Sequence, residues 1–115
     1  MTQTIIVADD HPLFRAALKQ AVNQAVPDAE TVEVDSIKAL QAAVESHPDA
    51  DLILLDLNMP GAHGFSGLVF MRGQYPGLPV VVVSGSEDLQ VMRRSVDYGA
   101  SGFIPKSAPL PTITE

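Results

Sequence analysis

Five short strand-like runs alternating with helix-periodic segments constrain the fold of this chain more than any other feature. Thr4 to Ala8 (TIIVA) is continuously apolar and rich in β-branched residues, as a strand buried on both faces would be. After Asp9-Asp10-His11, Pro12 suits a first helical turn. Phe14, Ala17, Leu18, Ala21 and Val22 then recur at helical spacing until Pro27 closes the segment. Thr31 to Val34 (TVEV) alternates apolar and polar residues and predicts a half-exposed edge strand. Ser36 is placed to cap a helix that carries Ile37, Leu40 and Val44 on one face and stops at His47-Pro48. Leu52 to Leu55 (LILL) is another buried strand and runs straight into Asp56, with Asn58-Met59-Pro60-Gly61 as the turn behind it. Phe65 to Gln74 predicts a short helix in spite of Gly67 and Gly73, ended by Tyr75-Pro76-Gly77. Val80 to Val83 delivers Ser84 at its end, and a helix follows through Leu89, Val91, Met92, Ser95 and Val96 to Gly99. Gly102-Phe103-Ile104 is the last strand, with Lys106 just beyond it.

This alternation implies parallel strands joined by right-handed crossovers, and hence an α/β, doubly wound sheet with helices on its faces. With 115 residues the chain has room for one such domain, spanning 1–115, around one core. Its 46% apolar and 18% charged residues are those of an ordinary soluble globular protein. A net charge of −7, with seven Lys and Arg scattered along the chain, argues against direct nucleic-acid binding by this domain. Without cysteine there is no disulfide and no thiolate metal site, and the N-terminus lacks the order of a signal peptide, so the expected address is cytoplasmic. No apolar run approaches the roughly 20 residues that cross a bilayer as a helix.

Open parallel sheets place their chemistry outside the carboxyl ends of the strands, and Asp9, Asp10, Asp56, Ser84 and Lys106 all fall there. Carboxylates brought together repel one another, so such a pocket calls for a cation or a raised pKa. A hard divalent ion such as Mg²⁺, which takes oxygen ligands and keeps several waters, suits an open acidic pocket. A carboxylate beside that ion can attack phosphorus while Lys106 and the Ser84 hydroxyl steady the transferring oxygens, giving an aspartyl phosphate.

Asp9-Asp10, Asp56-Leu57-Asn58-Met59-Pro60-Gly61, Ser84 and Phe103-Ile104-Pro105-Lys106, in that order, resemble the signature of the receiver domain of two-component response regulators. The resemblance spans nearly the whole chain. It implies a five-stranded parallel sheet in the flavodoxin-like order 2-1-3-4-5, with Asp56 as acceptor of a phosphoryl group from the phosphohistidine of a sensor histidine kinase. It further implies Mg²⁺ held by Asp10, Asp56 and the Asn58 carbonyl, with Asp9 assisting through water. Ser84 and Lys106 would hold the phosphate oxygens, and Ser84 and Phe103 would move as the switch is thrown. The stretches Asp9 to Arg15 (DDHPLFR) and Gly99 to Ser107 (GASGFIPKS) are similar to regulators of the LuxR/NarL type, whose C-terminal output domain is a helix-turn-helix. Such a domain is not an enzyme beyond its own phosphorylation and autodephosphorylation.

Thr112-Ile113-Thr114-Glu115 has the form of a capping box, so the fifth helix of a receiver is expected to be truncated here, with the output domain absent from the chain. That expectation leaves apolar sheet surface on the first and third strands to be covered by a shifted helix, or in a homodimer or swapped oligomer.

Taken singly, each residue has a plainer reading. Asp56 alone would be a turn former, Asp9 and Asp10 caps for the helix at Pro12, Ser84 a turn residue, Lys106 a solvated charge and Phe103 core. His11, His47 and His63 lack metal spacing and read as loop and surface residues, none of them a phosphodonor, and Met59, Met71 and Met92 read as packing. Other functions stay open. An aspartate-nucleophile phosphohydrolase would use Asp56 and Mg²⁺ but carries a second Asp where this chain has Asn58. A flavin carrier needs a glycine- and hydroxyl-rich loop where this chain has Asp9-Asp10-His11-Pro12. A receiver-like interaction module would need no phosphorylation.

Overall fold

All five residues of β1 (Thr4–Ala8) are buried, as a run with no polar face requires. The structure, a computed structural model, describes residues 3–57, 65–84 and 89–105, Pro105 by its backbone alone. β1 pairs in parallel with β2 (Glu30–Val34) on one side and β3 (Leu52–Asp56) on the other. β4 (Val80–Ser84) lies beside β3 and β5 (Gly102–Pro105) beside β4, giving the expected order β2-β1-β3-β4-β5. β2 is an edge strand and is buried least, in keeping with its alternating residues.

Successive side chains of a strand point to opposite faces, and the core divides accordingly. Ile6, Ala8, Ile53, Leu55, Val80 and Val82 face one side. There they meet Leu40 and Val44 of α2 (Ile37–Ser46) and Leu68 and Met71 of α3 (Ser66–Gln74), with Val91 of α4 (Leu89–Asp97) packed alongside. Ile5, Val7, Leu54 and Val83 face the other side, against Leu18 and Val22 of α1 (Pro12–Ala25).

The fifth-helix expectation falls on residues outside those described. The expectation of uncovered apolar surface on β1 and β3 is corrected at the positions in view. Ile5, Val7 and Leu54 are buried within the chain itself, against the apolar stripe of α1. A dimeric or swapped cover is not required at those three positions.

Local chemistry explains the helix ends. Ser36 accepts a hydrogen bond from the Ala39 amide at 3.1 Å, the expected N-cap of α2. Ser36→Ala should therefore lower stability by about 1 kcal/mol, seen as a lower urea midpoint at unchanged slope; no shift would mean water serves that amide equally well. Past α4, Gly99 takes φ of 103°, a left-handed position that lets the amide of Ala100 reach back to the Ser95 carbonyl at 2.9 Å.

Candidate acidic site at the strand ends

The parallel register sets Ala8 opposite Leu55, so the first residue after β1 stands beside the last residue of β3. Asp9 is fixed there on three sides. Its amide donates to the Val34 carbonyl at 3.0 Å, its carbonyl accepts from Arg15 Nη1 at 2.9 Å, and its Oδ1 accepts the His11 amide at 2.7 Å. Arg15 Nε is in turn 3.4 Å from Glu33 Oε1, and Lys19 Nζ 3.6 Å from Glu33 Oε2, tying the turn to β2 through α1. The N-cap of α1 is His11, whose side chain makes no capping bond. The plainer reading of Asp9 or Asp10 as the cap residue is thus replaced by an Asp9 carboxylate that takes the amide just ahead of the helix.

One ligand atom each from Asp9, Asp10, His11 and Asp56 lie within 4.8 Å of one another. Asp9 and Asp56 are fully buried, while Asp10 keeps 31% of its side chain exposed, so the pocket is open on one side. Asp10 Oδ1 is shielded from solvent and accepts no hydrogen bond among the described residues; His11 Nδ1 stands 3.2 Å away without making one. An oxygen-rich donor set with a shielded, unsatisfied carboxylate oxygen fits a hard divalent cation such as Mg²⁺.

Of the other residues singled out, Ser84 is buried at the end of β4, next to the Val83 that pairs with Asp56. Phe103 is half-buried on β5 and packs against the larger half of the core. Asn58 and Lys106 lie outside the described residues, as do His63 and Met59. The sequence reading missed two participants. His11 has its ring 59% exposed, as a loop residue would, but Nδ1 points into the acidic cluster. Arg15 holds the Asp9 carbonyl. The signal for His11 was its place between two acids and a helix-starting proline, where the turn folds it back; residue spacing along the chain carries no such information.

A sheet of this order with acids gathered at its carboxyl ends defines a receiver-type α/β domain. The family model described as "Response regulator receiver domain" matches residues 5–115, and this chain belongs to that family. It is 45% identical over 111 residues to the "Glycerol metabolism activator" of Pseudomonas putida, covering 96% of this chain and 50% of that protein. It is 36% identical to the "Nitrate/nitrite response regulator protein NarL" of Escherichia coli (strain K12), covering 90% of this chain and 47% of that one. Among solved structures, the signal receiver domain of the putative response regulator NarL from Mycobacterium tuberculosis superposes with a TM-score of 0.85 at 27% identity. That match covers 98% of this chain and 90% of the other. The chain spans about half the length of the curated relatives it matches. No helix among the described residues is long and apolar enough to cross a membrane.

Proposed function

We propose that this receiver domain is a phosphorylatable switch in which Asp56 accepts a phosphoryl group from the phosphohistidine of a sensor histidine kinase. The observation that carries this reading is the gathering of Asp9, Asp10 and Asp56 at neighbouring strand ends, with the carboxylate atoms inside one 4.8 Å cluster. A carboxylate oxygen of Asp56 attacks phosphorus as the P–N bond to the kinase imidazole breaks. Asp9, Asp10, Asp56 and the Asn58 carbonyl would hold Mg²⁺, which when bound neutralises charge on the transferring oxygens. The turn bonds of Asp9 keep its carboxylate facing inward without movement at the moment of reaction. Ser84 donates its hydroxyl to one phosphoryl oxygen and Lys106 its ammonium to another, and Phe103 shifts with Ser84. The change passes to a C-terminal output domain of the whole protein, a DNA-binding helix-turn-helix as the likeness of Asp9 to Arg15 and Gly99 to Ser107 to LuxR/NarL-type regulators implies. The domain itself spans 1–115, works in the cytoplasm and acts on no external substrate.

Mixing the chain with Mg²⁺ and acetyl phosphate tests the reading by intact mass followed by peptide mapping. One phosphoryl group on Asp56, removed by hydroxylamine as an acyl phosphate is, is the expected result. An adduct at another residue, or multiple turnover of an external phosphate ester, would overturn it in favour of a different acceptor or a phosphohydrolase.

A further inference from the structure

The imidazole of His11 has no part in phosphoryl transfer as described, yet its Nδ1 lies 3.0 Å from an oxygen of Asp9, 3.2 Å from one of Asp10 and 3.6 Å from one of Asp56. A single N–H at Nδ1 points one way and cannot serve three carboxylates at once. Neighbouring ligands around a small divalent ion, at ~2.0–2.1 Å from it, stand about 3 Å apart. Nδ1 and Asp9 Oδ1 share a hydrogen bond at 3.0 Å, and with a metal in place of the proton the same spacing from Asp9 and Asp10 is that of a further corner of one coordination shell.

We infer that His11 selects the cation of the acidic pocket. Its Nδ1 ligates imidazole-favouring divalent ions such as Zn²⁺ beside the carboxylates of Asp9, Asp10 and Asp56, whereas Mg²⁺ is held there by oxygen alone. The inference rests on the metal-holding role proposed above for those carboxylates. Imidazole nitrogen is a good ligand for zinc and nickel, while Mg²⁺ prefers oxygen and retains its waters. The backbone of His11 is anchored by the hydrogen bond its amide donates to Asp9 Oδ1 and by Pro12 at the start of α1, but the ring is more than half exposed. It can swing outward when a hydrated Mg²⁺ needs that corner. A zinc-type ion, once ligated by the ring, leaves one coordination position fewer for a phosphoryl oxygen, and so competes with the activating ion.

The test titrates wild-type, His11→Ala and His11→Gln chains separately with Zn²⁺ and Mg²⁺ by calorimetry, and follows the His11 ring nitrogens by ¹⁵N NMR. The ratio of Zn²⁺ to Mg²⁺ affinity should fall at least about tenfold in both variants. In the wild type, Nδ1 should move to the metal-bound range with Zn²⁺ and not with Mg²⁺. An unchanged ratio, a parallel loss of both ions, or an unshifted Nδ1 would overturn the inference. If the wild type binds neither ion, the metal-holding reading fails along with it. If selective Zn²⁺ binding persists while no phosphoryl group reaches Asp56, only the switch reading fails.

Discussion

The Asp56→Asn chain, given Mg²⁺ and acetyl phosphate, gains no phosphoryl mass, because an amide oxygen is too weak a nucleophile for the step and carries no charge to hold the ion. Two stability effects of opposite sign accompany that loss. Asp56 is fully buried and shares a cluster with Asp9 and Asp10, so removing its charge relieves like-charge repulsion. The metal-free variant should melt at a higher temperature than the metal-free wild type. Added Mg²⁺ reverses the order of benefit. At a hundred times its Kd it stabilises the wild type by about 2.7 kcal/mol through binding to the folded state alone, and the variant by distinctly less. Thermal melts with and without Mg²⁺, beside the mass measurement, check all three. A variant melting below the wild type without metal would show that the Asp56 carboxylate contributes more through its surroundings, the His11 ring 3.6 Å away among them, than it costs through repulsion.

Leu55→Ala should be among the most damaging single changes in the core. Leu55 is 1% exposed on a central strand, pairs across the ladder with Ala8 and Val82, and belongs to the larger apolar cluster. Truncating a buried Leu costs about 2–5 kcal/mol, a large share of the roughly 5–15 kcal/mol that keeps a domain folded. The urea midpoint should drop sharply at unchanged slope. Val69→Ala, at a residue left 48% exposed on α3, should stay within about 0.5 kcal/mol and serves as the control. Equal losses for the two would mean that the core rearranges to fill the space.

The strands were readable because parallel strands buried on both faces are written as unbroken apolar runs: β1 begins and ends where its run does. The reading stopped one residue short at the ends of β3 and β4. Asp56 and Ser84 are polar, but the ladder is made by the backbone and continues through them, pairing Asp56 with Val83 and Ser84 with Pro105. The same blindness hid the start of β2 at Glu30. In α4 the apolar residues marked a helix without marking its inner face. Ser95 is buried and bonds the Val91 carbonyl at 2.9 Å, while Leu89 and Val96 lie open to solvent. Of the acidic site, the carboxylates were legible from their places at strand ends. His11 was not, since its approach depends on the turn that Asp9 closes with its own carboxylate.

β1 comes first in the chain yet lies inside the sheet, with its neighbours drawn from residues 30–34 and 52–56. During synthesis one side of this apolar strand therefore stays without its partner until Asp56 has left the ribosome. The nascent half-domain carries an open, sticky edge for that interval. Until β3 is complete, that edge is open to pairing with another chain.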